Sequence, residues 1–385
     1  MGGICYWSNL YTLLYFSTVG STIVLSTIFM VSNHLRGEKE AVLETVHFMF
    51  LALNSIAMVT DYNVNQQNYL QLYRAFDKGV FDYGDSLDEE TIRNIEEIKS
   101  GARERKRKFG YVFSSLLKVI AVVHTLKKPL SRLVIGGKQP TNGADDLLWE
   151  APIGVYMPFS DYWAPYIFGH LLSTGCGILI ATTAVASTTT YQYISEELLA
   201  EYAIVRLTFE RCVFRAEHLQ KSMGKNCNFD NCLEQCANLS VKHHQHLLSL
   251  FSTFKKLVYM PLFMSVTDGG LMLCMSSYLT ICGDISLELR LSMPGFVGSE
   301  CLLMFIYCDY GEKLSKANAD VGDGLYNAEK LSDHLNQLKP YLATVVRFTN
   351  VPKELSAGGF TAVNRQIFAN IISAAYSYIG FMLST

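Results

Sequence analysis

Charge is what this sequence has least of: 17% of its 385 residues are Asp, Glu, Lys or Arg, where a soluble domain has about a quarter. The shortage is uneven. Long stretches hold almost no charge, while Arg103, Arg105, Lys106, Arg107 and Lys108 fall nearly together. Half of the chain is hydrophobic, so this is the composition of a chain that crosses a membrane. A net charge of −3 gives no basis for a nucleic-acid partner. Enzyme motifs are absent too: there is no phosphate loop, no Gly-x-Ser-x-Gly and no zincin helix, and no cofactor is expected. The 10 cysteines are scattered through apolar runs and basic loops, which excludes a disulfide framework and points to buried thiols. Cys227, Cys232 and Cys236 with His243, His244 and His246 hold the right atoms for zinc, but the spacing matches no common structural site. No internal repeat is evident, which argues against a secondary transporter.

What the sequence has instead is long apolar runs. A helix needs about 20 mostly apolar residues to cross a bilayer. Seven segments meet this: Leu10 to Val31, Val42 to Thr60, Phe109 to Leu126, Tyr162 to Thr189, Leu257 to Ile281, Ser292 to Tyr310, and Phe360 to Leu383. The first is too long for the apolar part of a signal peptide and lacks a basic flank, so it reads as a retained span.

Basic residues accumulate on the cytosolic side of membrane proteins. The loops after the second, fourth and sixth segments are rich in Lys and Arg, while the alternate loops are poorer. The expected fold is therefore an all-α membrane protein of seven transmembrane helices, with the N-terminus cytosolic and the C-terminus extracellular. That is the reverse of a G-protein-coupled receptor. The Asp/Glu-Arg-Tyr and Asn-Pro-x-x-Tyr motifs of those receptors are missing as well.

The expected organisation is spans one and two over 1–61 and a cytosolic loop with helices over 62–108. Spans three and four with an outer loop at 127–161 occupy 109–189. Cytosolic helical extensions fill 190–256, and spans five and six fill 257–310. A cytosolic anchor at 311–353 includes the first part of a split seventh helix, whose second part lies within 354–385. The split is read from Asn350, Pro352, Gly358 and Gly359, which interrupt the helical pattern. Leu198, Tyr202, Val205 and Phe209 form one apolar stripe. Such helices could continue the spans or build a cytosolic layer where subunits meet.

In the last span Ala374, Ser377, Phe381 and Ser384 recur on one helical face. Small and hydroxyl residues suit a tight helix interface and equally a pore lining; the residues alone leave both open. No acidic ring is present, so a pore built here would select poorly among cations. Asp268 and Lys118, inside apolar segments, are costly in lipid and are functional candidates.

Tyr307-Cys308-Asp309-Tyr310-Gly311-Glu312 with Tyr326, then Leu355-Ser356-Ala357-Gly358-Gly359-Phe360, Phe368 and Tyr376-Ser377-Tyr378, resemble the C-terminal signatures of insect odorant receptors. Leu148-Trp149 with Pro152 also fits their second outer loop. Lys330 departs from the usual Trp. The compact loop between the fourth and fifth segments is similar to that of a tuning subunit and unlike the longer co-receptor. The related gustatory receptors, which can act as homomers, usually end differently.

The resemblance implies a heterotetrameric, odorant-gated cation channel assembled with co-receptor subunits. It would pass sodium, potassium and calcium, sit among lipids of the plasma membrane, and act in the dendrite of an olfactory neuron. It also favours the pore reading of Ala374, Ser377, Phe381 and Ser384, and implies an odorant pocket in the outer half of the bundle. Such a pocket should be concave, aromatic and sparsely polar. The candidates are His47, Phe48 and Leu51; Leu117, Ile120 and His124; Tyr162, Tyr166 and His170; and Met293 and Phe296.

Overall fold

The computed structural model describes residues 2–37, 39–135, 153–157, 163–223, 228–282, 287–328, 334–351 and 353–384. It is a bundle of long helices: α1 (Gly2–Arg36), α2 (Lys39–Val64), α3 (Gln66–Lys78), α4 (Glu89–Ile135), α5 (Trp163–Glu210), α6 (Cys212–Met223), α7 (Phe229–Cys282), α8 (Leu287–Tyr326), α9 (Leu335–Thr349) and α10 (Arg365–Ser384). Among the described residues, α1, α2, α5 and α7 contain stretches long and apolar enough to cross a membrane.

The helices outrun the membrane. At 1.5 Å per residue, the 54 residues of α7 extend about 80 Å, where a hydrocarbon core is about 30 Å thick. The excess forms a basic end at which helices pack on one another. These segments continue the long helices and pack on one another as a layer.

That layer has a real core. Leu198, Tyr202, Val205 and Phe209, the predicted stripe, are all buried. Cys212, Leu219, Cys232, Leu233, Cys236 and Leu338 close a second cluster. The thiols are core packing, and burial pushes Cys212 up to about 12. Helix α4 is locked to α5 by ion pairs, Arg105 to Glu196 at 2.8 Å and Lys106 to Glu197. Part of the basic cluster is thus structural. The chain breaks between α5 and α6 at Arg211, whose guanidinium holds Asp88 and Glu90 at 2.8 Å each.

Arg215 on α6 is completely buried and has no carboxylate partner among the described residues. It donates to the carbonyl and hydroxyl of Ser86 at 3.2 and 3.0 Å, to the Thr208 carbonyl at 2.9 Å and to the Ser240 hydroxyl at 2.9 Å. The Tyr83 ring covers its guanidinium. A charge out of water survives when its donors are matched, and here four of the five guanidinium N–H groups are.

Two local features depart from the sequence expectation. The last helix begins at Arg365, not Phe360, because Ser356–Ala357 and Thr361–Ala362 pair as a short antiparallel hairpin. Its turn uses Gly358 and Gly359 at φ of 58° and 74°, conformations that L side chains resist. Helix α4 runs on to Ile135, so the start of the expected outer loop at 127–161 is helical. Residues 153–157 return between α1 and α5: Tyr156 N donates to the Leu25 carbonyl at 3.1 Å, and Ser26 to the Gly154 carbonyl at 2.9 Å. Cys176, Phe48 and Ile153 share the core formed there.

Two predictions follow from this layer. Replacing Arg215 with Met leaves the Thr208 and Ser86 carbonyls without their donor and is expected to cost about 3 kcal/mol, read as a lower melting temperature of the purified protein. Burial holds His244, on the part of α7 outside the apolar span, down to about 4, against which its contact with Asn318 only partly acts. The folded state keeps it neutral while the unfolded chain titrates near the ordinary histidine value of 6.5, so unfolding takes up a proton below that pH. Stability should fall as pH drops from 6.5 towards 4, by up to about 3 kcal/mol. The His244→Gln variant should show a flatter profile in thermal unfolding across that window; an identical slope would remove His244 as the cause.

Candidate functional site

A cavity of about 370 Å³ opens where α1, α2, α3, α5 and α7 meet beside Tyr307 of α8. It lies on the basic-end side of the bundle. Its walls are aromatic: Tyr11, Tyr62, Tyr69, Tyr191, Phe254 and Tyr307. Tyr62 and Tyr69 are tilted rings with centroids 5.4 Å apart. Asp61 is the one charged residue among the described lining. It accepts from the Asn65 amide at 2.9 Å and from the Tyr69 hydroxyl at 3.4 Å.

Pro261 forms part of the wall and stands inside α7. Proline has no N–H for the carbonyl four residues back, which is that of Leu257. The Tyr69 hydroxyl lies 3.5 Å from that oxygen. On the same stretch the Tyr259 hydroxyl donates to the Gly358 carbonyl at 2.6 Å. The break in α7 is therefore tied on one side to α3 and on the other to the hairpin before α10.

A second, smaller cavity of about 70 Å³ shares Met58, Ser187 and Tyr307 with the first. Leu51, Asn54, Ser265 and Glu300 also line it. Glu300 thus faces an interior space. Asp268 is half-buried on α7, and its Oδ2 has no hydrogen-bond partner among the described residues. Lys118 lies on an exposed face of α4.

The third feature is the last helix. One face of α10, with Phe368, Ile371, Ile372 and Ala375, packs on the main core. The opposite face is exposed and carries Gln366, Asn370, Ser373, Ser377 and Phe381. Gln366 and Asn370 hydrogen bond along the helix at 2.9 Å, and Ser377 donates to the Ser373 carbonyl at 2.9 Å. The start of the helix is fixed by the signature on α8. Arg365 holds Asp309 at 2.6 Å, and its backbone N donates to Glu312 at 3.1 Å. Gly311 allows the contact: a Cβ there would overlap the Val363 carbonyl oxygen. Tyr310 reaches across to Glu196 of α5 at 2.8 Å.

The expected pocket residues divide. His47 is buried with Nδ1 3.4 Å from the Ser276 hydroxyl of α7. Leu51, one turn on, faces the small cavity. Phe48 points the other way, into the core with Tyr15, Ala52 and Cys176. Leu117 packs against the main core, and His170 is half-buried on α5. Tyr162 and the side chains of Ile120, His124, Tyr166, Met293 and Phe296 lie outside the described residues, as does that of Ser384. Ala374, at the edge of the outward stripe, Ser377 and Phe381 are exposed. Sequence reasoning missed Asp61, Tyr69, Gln366 and Asn370. The polar pair was readable from its spacing of four.

A family model described as "7tm Odorant receptor" matches residues 74–376. Odorant receptor 85f of Drosophila melanogaster is 22% identical over 138 residues, covering 36% of this chain and 35% of that protein. Odorant receptor 94a of the same species is 22% identical over 243 residues, 61% and 58% of the two chains. The matched regions therefore span about a third and somewhat over half of these relatives. The fold is similar to that of the solved insect olfactory receptor OR5 of Machilis hrabei in complex with eugenol. The TM-score is 0.75 at 12% identity, over 98% of this chain and 89% of that one. The structure of the same receptor described without eugenol gives 0.74 at 11% identity, over 97% and 88%. With the signature residues fixing the last helix and a family match across most of its length, this chain belongs to the insect odorant receptor family.

Proposed function

We propose that the chain is a tuning subunit of an odorant-gated, non-selective cation channel assembled with co-receptor subunits in the plasma membrane of an olfactory neuron. The observation that carries this reading is the outward face of α10. A helix of apolar composition places Gln366, Asn370, Ser373 and Ser377 in a row on the side turned away from its own bundle. Polar groups facing lipid are costly, so this face belongs against water or another subunit. Arranged around an axis, such rows form a hydroxyl- and amide-lined conduit, with Phe381 and Ser384 as its narrow part. No Asp or Glu follows Glu354 in the chain, which agrees with weak discrimination among cations.

In this reading seven spans place the N-terminus inside and the C-terminus outside, and the basic layer is the cytosolic anchor. The odorant sits in the outer half, near His47, Leu51 and His170 and alongside Leu117, Ile120, His124, Tyr162, Tyr166, Met293 and Phe296. The Phe48 orientation makes it a support for that region. A small volatile compound there acts on α8, and the Asp309–Arg365 pair carries the shift to the last helix.

Whole-cell current with and without a co-receptor subunit, with G-protein signalling blocked, tests the assembly. A fast cation current evoked by volatile compounds is expected only on co-expression. Current from this chain alone would replace the reading with a homomeric, gustatory-type channel. The Phe381→Ala change should alter basal current or ion selectivity while the order of effective odorants stays the same; wild-type permeation would remove α10 from the pore. Changes at Tyr166 or His170 should shift the half-maximal dose by up to about tenfold, the scale of one lost hydrogen bond, with permeation intact.

A further inference from the structure

We propose that the 370 Å³ cavity at the basic end is a second ligand site, separate from the odorant pocket, and that it takes a protonated organic amine with a compact apolar body. The cavity holds a carboxylate, Asp61, and among the described residues no Lys, Arg or His lines it. The contacts to Asp61 are both neutral donors, Asn65 and Tyr69, and the second is long at 3.4 Å. A carboxylate offers about four acceptor positions, so half of its capacity remains. The surrounding walls are tyrosine and phenylalanine rings, whose faces attract cations. One anionic acceptor inside an aromatic chamber is the chemistry that recognises an alkyl- or arylalkyl-ammonium group: the carboxylate takes the N–H donors and the rings hold the apolar body.

Access comes from the side of the bundle. Tyr11, Tyr62, Thr182 and Ala186 line the cavity and are exposed on its outer surface. An amphipathic amine partitioned in the membrane reaches the chamber there without crossing the bundle. Inside, it reaches Pro261 and Tyr69, whose hydroxyl lies at the Leu257 carbonyl that Pro261 leaves without a helix donor.

Binding is read on the full chain in lipid nanodiscs, together with any subunits that co-purify, so it does not depend on the channel reading. The probes are 2-phenylethylamine and its neutral isostere 2-phenylethanol, at neutral pH, measured by the ligand-induced rise in melting temperature. The amine should stabilise the wild type at concentrations at least about tenfold below the alcohol, the scale of one charge-assisted bond. The Asp61→Asn variant keeps one oxygen for the Asn65 amide and turns an NH2 towards the Tyr69 hydroxyl, which can accept from it; it should erase that difference. Should Asp61→Asn fail to fold, Ala186→Trp, which obstructs the opening without touching Asp61, should weaken the amine and leave the unliganded melting temperature near wild type. Equal potency of amine and alcohol overturns the proposal. So does an amine preference that persists in Asp61→Asn, undiminished stabilisation by the amine in Ala186→Trp, or a preference lost instead on His47→Ala.

Discussion

The position of the last helix depends on one ion pair and the close approach that permits it. Asp309 and Glu312 on α8 hold Arg365, side chain and backbone, while Gly311 lets the Val363 carbonyl come into contact. Three consecutive needs are met in four residues: charge, backbone donor and space. The same helical turn sends Tyr310 to Glu196 and Tyr307 to Thr188 at 3.0 Å. One turn of α8 therefore joins α5 and α10. Asp309 and Glu312 serve one neighbour, Arg365, while Tyr307 and Tyr310 serve another, α5, so a change in this turn loosens one of two joints.

Away from the membrane the protein behaves as a soluble helical domain would. Apolar side chains close its core, ion pairs fasten α4 to α5, and Arg215 is satisfied entirely by neutral groups. Hydrophobic burial can drive association in this layer because water is the alternative environment; between helices in lipid it cannot. The layer therefore supplies cohesion that the membrane-embedded part lacks.

Much of this was legible in the sequence, for identifiable reasons. The apolar stripe Leu198–Phe209 obeys helical spacing and is buried as expected. The glycine pair at Gly358–Gly359 marked the interruption before the last helix, though not the hairpin, since two strands of two residues leave no periodicity to read. Lys and Arg counts marked the basic end but not that Arg105 and Lys106 have carboxylate partners 91 positions away in sequence. Asp61 escaped notice because it ends an apolar run, where a carboxylate ordinarily meets water. Only the folded arrangement encloses it among aromatic rings. Phe48 was grouped with His47 and Leu51 by proximity in sequence, yet one residue along a helix turns a side chain by more than a right angle.

Pro261 has a mechanical meaning. A helix of 54 residues would otherwise be a stiff rod, transmitting any tilt along its full length. Removing one rung of its hydrogen-bond ladder concentrates compliance at a single level. There the rod acts as two shorter levers with a common joint, held at that level by Tyr69 on one side and by the Gly358 carbonyl on the other. The layer can then stay still as a foundation while the part above it changes shape.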